Sequence, residues 1–447
     1  MNRIEIYIRR YLFWLHDRLH GGSLWKEYCD VMHMMHDDAY MSRKRDEYLK
    51  SLLDFAASNT IYYAAYKGQY DLTKYPVVNK ATYRKHYDAF VVPDNQIPGQ
   101  VGVVHIQKTS GSTGTPFEIR QDTRCRTRRL ATIKVMNELV GFHSFDTLMH
   151  LRAFAHYWGG NECIRYDRAL NIIYADNANL NEEKIRKIVE ALIMYKVRYV
   201  RGYVTSLDLI TQYIIDKGIE LPEHPTFITG GELLPKNLQQ RIINQLHCHV
   251  VSQYANEENG VFGQSAIDGE PTTIVLNNAN TIIEVLKMDA DEPAGKDEMG
   301  RVVVTDLTDY AFPMIRYDIG DVARIGDVDA NGTILSLKNL AGRSQDMILR
   351  TDGTKIDLFN SIPKEVYNNP DVKQWQFAQK SANQYTLILC INSGASAKSK
   401  SSWEGVKASL QELLGTDAEI DIQIVDTLPV LNSGKRKVVV NEYVNRN

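Results

Sequence analysis

The string Thr109-Ser110-Gly111-Ser112-Thr113-Gly114-Thr115-Pro116 concentrates hydroxyl side chains and glycines in one short stretch. Backbone N–H groups and hydroxyls in such a loop can surround an anion. It lacks the Gly-Lys-Ser/Thr ending of a Walker A loop and the Gly-x-Gly-x-x-Gly of a dinucleotide turn. Small polar residues are also ordinary turn punctuation, so the string alone leaves both readings open. Carboxylates follow at Glu232, Glu257, Glu258 and Asp321. A carboxylate suits either a hard divalent cation or the two donors of a sugar cis-diol. Lys435, in Asn432-Ser433-Gly434-Lys435-Arg436-Lys437, is a charged donor of the kind that neutralises a phosphate. Three basic residues in four also read as a solvated hairpin tip. His33-Met34-Met35-His36 and His247-Cys248-His249 complete no four-ligand zinc pattern and read as structural. No Gly-x-Ser-x-Gly elbow occurs, which leaves a serine hydrolase without a foothold.

These residues need elements to position them. VGVVHIQ and FEIRQ flank the hydroxyl-rich loop as extended runs. TLMHLRAF, NIIYAD, VRYVRGY, TFITGG and HVVSQYA follow as short strands separated by helical stretches. The clearest helix is EEKIRKIVEALIMYK, where Ile185, Ile188, Val189, Leu192 and Ile193 recur at helical spacing. That alternation predicts crossover units and a largely parallel sheet. After about residue 270 the helices give way to TTIVLNN, TIIEVLKM, GRVVVTDL and VARIGDV, a β-rich subdomain. From about 342 a separate α+β unit carries WQFAQ, YTLILCIN, SSWEGVKASLQELLG and EIDIQIV. Residues 1–90 read as mostly helical. In RRYLFWLHDRLH, packing of a helix against the body outweighs contact with a membrane surface.

With 447 residues, 44% hydrophobic and 24% charged, the chain has room for a sizeable core. A net charge of −3 gives no support to a nucleic-acid reader. Five scattered cysteines predict reduced thiols, and no apolar run reaches the length of a spanning helix. The expectation is a cytoplasmic enzyme, with no nucleic-acid partner and a homodimer as the default assembly.

Taken in order, the loop at 109–116, Thr229-Gly230-Gly231-Glu232, Tyr254 through Gly260, Ile315-Arg316-Tyr317-Asp318-Ile319-Gly320-Asp321, Gly342-Arg343-Ser344-Gln345-Asp346 and Pro429 through Lys435 form a series. That series resembles the adenylate-forming superfamily of acyl-CoA synthetases and adenylation domains. GRVVVTDLTDYAFPMIRYDIGD and MYKVRYVRGYVTSL are closest to the phenylacetate–CoA ligase branch, which includes CapK-like and coenzyme F390 synthetase-like proteins. The resemblance runs from about residue 60 onward. It implies an α/β fold with a large N-terminal portion (1–341), built of parallel-sheet α/β subdomains and a β-rich subdomain. A small mobile α+β C-terminal domain (342–447) would cover it.

The resemblance also implies ATP- and Mg²⁺-dependent attack of a carboxylic acid on the α-phosphorus, followed by acyl transfer. Ser110, Gly111, Ser112, Thr113 and Gly114 would hold the β- and γ-phosphates. Gly230, Gly231 and Glu232 would lie along the adenine, with Tyr254 packed at its ring. Glu258 would bind Mg²⁺, Asp321 the ribose hydroxyls, and Arg343 ribose or phosphate. Lys435 would swing in to contact the α-phosphate and the carboxylate, with Lys437 as the fallback if the register slips. The nearest resemblance makes CoA the acceptor and an aromatic acid the substrate, and an amine acceptor is the competing reading. A non-catalytic nucleotide-binding protein is the third.

Three departures stand out. Glu257 replaces the usual Ser or Thr, and is unfavourable beside phosphate unless it turns away or pairs with a cation. Gln345 replaces Asp or Lys at the hinge. RTDGTKIDLFNSIPKEV lacks the glycine-rich text of many thioester-forming members. Phe154, His156, Tyr157, Trp158 and Tyr203 are candidates for the acid pocket, and equally for core packing. An Asp-Gly turn ending a strand is the competing reading of Tyr317–Asp321.

Overall fold

The computed structural model describes residues 3–109, 117–154, 162–369, 371–391, 400–428 and 436–443. Ser110, Gly111, Ser112, Thr113, Gly114, His156, Tyr157, Trp158 and Lys435 lie outside the described residues. Three helices open the chain: α1 (Arg3–Leu19), α2 (Ser23–His36) and α3 (Asp38–Asn59). The other long helices are α4 (Thr123–Glu138), α5 (Glu182–Met194), α6 (Val204–Asp216) and α7 (Lys400–Leu414).

The first strands are β1 (Val78–Asn79) and a hairpin of β2 (His105–Thr109) with β3 (Phe117–Gln121), which frames the hydroxyl-rich loop. There follow β4 (Leu148–Arg152), β5 (Ile164–Asp167), β6 (Ile172–Asp176), β7 (Tyr199–Gly202), β8 (Thr226–Gly230) and β9 (His249–Asn256). Strands β6, β4, β7, β8 and β9 are neighbours in that order and all parallel. Helices α5 and α6 belong to the crossovers. Asn181 caps α5 by accepting the Lys184 N–H, and Ile185, Ile188, Val189 and Leu192 are buried. Ile193 is instead 39% exposed. Ala191 takes the buried place, because the contact stripe is narrower than the apolar arc of the sequence.

The later strands are β10 (Gly260–Gln264), β11 (Ile274–Leu276), β12 (Thr281–Leu286), β13 (Gly300–Asp306), β14 (Tyr317–Ile325) and β15 (Ser336–Arg343). They do not form a sheet of their own. The β9–β10 hairpin carries the parallel sheet into an antiparallel run β10-β11-β15-β14-β13-β12, giving one 13-stranded sheet. Composition changes at 270, but backbone pairing runs straight through it.

The string at 317–321 is not a turn. It lies inside β14, where Gly320 adopts φ +82° and β14 pairs with both β13 and β15. Only glycine takes that conformation without strain. The two largest cores of the large portion lie beneath the antiparallel strands, with Tyr63, Tyr83, Phe90 and Phe312, and around α5 and α6.

Short strands β16 (Ile348–Leu349) and β17 (Lys355–Ile356) precede a four-stranded sheet of β18 (Val372–Gln379), β19 (Gln384–Ile391), β20 (Glu419–Val425) and β21 (Val439–Asn441). Its order is β20-β19-β18-β21, and it packs with α7 on its own core of Trp375, Phe377, Trp403 and Leu410. All five cysteines are free, as their scatter predicted.

Candidate active site

The candidate residues on the described chain gather where β8 and β9 end and β14 meets β15. Asp321 and Arg343 are directly paired across β14 and β15. The Arg343 Nε lies 3.4 Å from Asp321 Oδ1, and the Tyr254 hydroxyl donates to Oδ2 at 2.9 Å. Arg343 also donates to the Ile319 carbonyl. The left-handed turn of the backbone at Gly320 leaves space for this, since a Cβ there would come within 3.2 Å of Arg343 Nη1.

Burial raises the Asp321 carboxyl above the usual carboxylate range. The Arg343 guanidinium and the Tyr254 hydroxyl oppose that shift, and the Glu258 charge adds to it. Burial also pushes the Tyr254 hydroxyl well up, so it is a donor at neutral pH. Gly230 pairs with Gln253 across β8 and β9, beside Tyr254. Gly231 follows at φ +74°, and a Cβ on Gly342 would meet Leu233 at 3.6 Å, so the segment after β8 runs against the end of β15.

Glu258 lies in the turn after β9 and is 7% exposed, unlike a typical loop acid. Its Oε1 accepts from Lys80 Nζ at 2.9 Å, and its main-chain carbonyl accepts from Arg129. Arg129 in turn is anchored by Asp306 at 2.9 Å. Tyr317 feels the Glu258 charge, which adds to burial in raising its hydroxyl. A buried carboxylate already holding one cation fits a divalent ion bound by one protein ligand plus substrate phosphates. Among the described residues no group of three His, Cys, Asp or Glu side chains converges as a closed metal site.

Glu232 turns elsewhere. Its carboxylate accepts from the Thr205 N–H (2.8 Å) and hydroxyl (2.7 Å) at the start of α6, and from the backbone N–H of Arg436 at 2.6 Å. Glu232 thus ties Arg436, the residue after Lys435 in the sequence, to the end of β8. The Arg436 guanidinium meets Asp208 on α6 at 3.5 Å, and Asp208 also binds Arg241 and Gln374. Lys437, the fallback lysine, is held by both Asp346 oxygens at 2.8 and 3.0 Å, away from Asp321 and Glu258 in its bonding. Glu257 is exposed and accepts from Gln107 on β2 at 3.0 Å, a neutral amide rather than a cation.

Tyr203, just before α6, carries a hydroxyl raised mainly by burial, with Arg152, Glu257 and Glu232 in electrostatic reach. Phe154 packs edge-on to His150 and Tyr174. His150 is pushed down to about 3 by burial and by Arg201 and Arg152.

Sequence reasoning missed Lys80, Arg129, Thr205, Asp208 and Arg436. None stands within a recognisable spacing of its partner, and Lys80 is 178 residues from Glu258. Only the triple-basic run around Arg436 carried any local signal.

Residues 348–442 match the CapK C-terminal domain family. Protein CapK of Staphylococcus aureus is 21% identical over 385 residues, covering 83% of this chain and 80% of that protein. Among solved structures, 2-hydroxyisobutyryl-CoA ligase in the postadenylation state aligns with a TM-score of 0.67 at 15% identity, over 90% of each chain. The same ligase in the thioesterification state, with 2-HIB-AMP and CoA, aligns at 0.52 and 15% identity, over 91% of each. An ATP-bound RpMatB-BxBclM chimera aligns at 0.51 and 16% identity, over 74% of this chain and 66% of its own. The chain thus shares the fold of the adenylate-forming acyl-CoA ligases, and its residues 348–442 are similar to the CapK C-terminal domain family.

Proposed function

We propose that this protein activates a carboxylic acid with ATP as an acyl adenylate and then passes the acyl group to a second nucleophile. The observation that carries this is the convergence of Tyr254, Asp321 and Arg343 with the buried Glu258, beside a Glu232 that binds the residue after Lys435. In the first step a carboxylate oxygen bonds to the α-phosphorus and the bond to pyrophosphate breaks. The barrier is mainly electrostatic and orientational.

Asp321 accepts from ribose hydroxyls in this reading, and Tyr254 and Arg343 keep its carboxylate aimed. Gly230 and Gly231 let the backbone approach the base, with Glu232 holding the start of α6 and Arg436 in register beside it. Glu258 would hold Mg²⁺, which supplies charge neutralisation at the phosphates. Residues Ser110–Gly114 would cradle the outer phosphates, and Lys435 would offer its ammonium to the charge developing at the α-phosphate. A higher TM-score to the postadenylation state than to the thioesterification state supports an arrangement suited to this first step.

CoA is the acceptor we favour, since the aligned ligase carries CoA in its thioesterification complex. The resemblance of the sequence to the phenylacetate–CoA ligase branch makes the acid aromatic in this reading. The resemblance of the sequence to CapK-like members keeps an amine acceptor as the second reading. Pyrophosphate and AMP release would be measured with ATP, Mg²⁺ and a panel of carboxylic acids, with CoA or hydroxylamine as acceptor. Acid-dependent release, lost in Lys435→Ala while ATP binding persists, is the expected result. ATP binding without AMP or pyrophosphate from any acid would leave a non-catalytic nucleotide-binding protein. Thioester formed only with CoA selects the CoA reading over the amine.

A further inference from the structure

Helix α1 presents two faces. Phe13 meets Phe145 edge-on at 5.9 Å, and Trp14 packs on Trp25 and Tyr28 at 5.0 and 4.9 Å. Arg9 donates to the carbonyls of Arg168 and Ala169, and Arg10 to the Ser144 carbonyl and the Asp146 carboxylate. These contacts pin the orientation of the helix on the large portion. The opposite face carries Ile4, Tyr7, Ile8, Tyr11, Leu12, Leu15 and Leu19, each between 37% and 74% exposed. At 100° per residue they span an arc of about 140°. RRYLFWLHDRLH therefore does pack, as its sequence predicted, yet it leaves outside a larger stripe than the one it buries.

Charge is distributed unevenly around that stripe. Arg3 and Arg18 are exposed along it. The two acids of the helix are already engaged, Glu5 with Arg9 at 3.0 Å and Asp17 with the Trp25 N–H at 2.9 Å. Arg168, whose carbonyl anchors Arg9, is exposed alongside, and Arg198 shares Asp146 with Arg10.

We propose that α1 docks this protein on an anionic lipid surface, with its apolar stripe in the interface and its arginines at the headgroups. A wide apolar arc rich in Ile, Leu and Tyr and flanked by cations is the pattern of a helix lying in a membrane plane. No described helix is long and apolar enough to cross a membrane, so the contact is peripheral. A second copy fits less well. Two 17-residue helices paired along this stripe bury roughly 700 Å² in total, below the ~1,200 Å² of stable interfaces. Two-fold pairing would also set Arg3 and Arg18 of each copy against like charges of the other. The inference stands on α1 and the cations beside it and does not depend on the proposed chemistry.

The test is co-sedimentation of the full chain with vesicles of phosphatidylcholine, with and without about 30 mol% phosphatidylglycerol. At about 0.1 M salt we expect at least tenfold more protein on the anionic vesicles, falling steeply at about 0.5 M. The doubly substituted Ile8→Glu/Leu12→Glu protein, both sites exposed, should keep its melting temperature and lose the binding. A Tyr7→Trp variant should show a blue-shifted emission only with the anionic vesicles. Equal sedimentation with both vesicle types, no sedimentation with either, or a lipid-free dimer that Ile8→Glu/Leu12→Glu dissociates would each overturn the proposal.

Discussion

Truncating Asp208 to alanine probes how the segment after Lys435 is held. Asp208 is 8% exposed and serves Arg241, Gln374 and Arg436 together. Arg241 comes from the large portion, whereas Gln374 and Arg436 come from the C-terminal sheet and the segment before β21. Without the carboxylate, two guanidinium groups with side chains 7% and 8% exposed lose their counter-charge. Removing one partner of a buried ion pair costs roughly 3–5 kcal/mol, mostly for the charge left behind.

Arg436→Ala behaves differently. Asp208 keeps Arg241, the Arg436 N–H still reaches Glu232, and only a 3.5 Å contact is lost. About 1 kcal/mol is then at stake, a roughly fivefold change in the docked-to-undocked ratio of the C-terminal unit. Two assays separate the variants. Urea unfolding reads global stability. Energy transfer between dyes on Lys187→Cys and Glu404→Cys, both exposed sites, in a Cys29→Ser background reads docking. We expect Asp208→Ala to lose several kcal/mol in the first, and Arg436→Ala to move mainly the second. An Asp208→Ala protein within 1 kcal/mol of the parent, or an Arg436→Ala protein with an unchanged dye distance, refutes the role given to Asp208 in holding this segment.

Other consequences follow from the same geometry. Gly320→Ala forces a Cβ to 3.2 Å from Arg343 Nη1 at φ +82°, and should cost about 1–2 kcal/mol in thermal unfolding while weakening nucleotide binding. Glu258→Gln should remove the Mg²⁺ dependence of ATP binding, read by calorimetry with and without the metal; an unchanged dependence places the ion elsewhere. Native His150 titrates near pH 3 against 6.5 for an unperturbed histidine. The unfolded chain alone therefore takes up its proton as pH falls below 6.5, and stability present above that pH is lost on the way down to about 3. Between pH 7 and 5 the loss should be about 1–2 kcal/mol, and His150→Asn should abolish that share of the pH slope. The same slope in both proteins would assign it to other groups.

Periodicities of two and of 3.6 are local, and most of what they govern was legible in the residues. The parallel strands between Leu148 and Asn256, four of the five residues in the α5 stripe (Ile185, Ile188, Val189 and Leu192, though not Ile193), and the closing α+β unit follow from alternation and spacing, whereas β5 was not read. The motif order brought Tyr254, Glu258, Asp321 and Arg343 under suspicion together. Long-range geometry had no such trace. Composition marked a break near 270, yet hydrogen bonding through β9, β10 and β11 in the middle of the sheet joined both sides into one. Arg128 reads as one more basic residue of α4, but it is 1% exposed between Glu27 and Asp30. Lys80 beside Glu258 and Asp208 beside Arg436 are likewise products of packing. A charge is stabilised by whatever stands within a few ångströms, and chain separation says nothing about that distance. Which arc of α1 faces outward was decided the same way, by where Phe13 and Trp14 found aromatic partners.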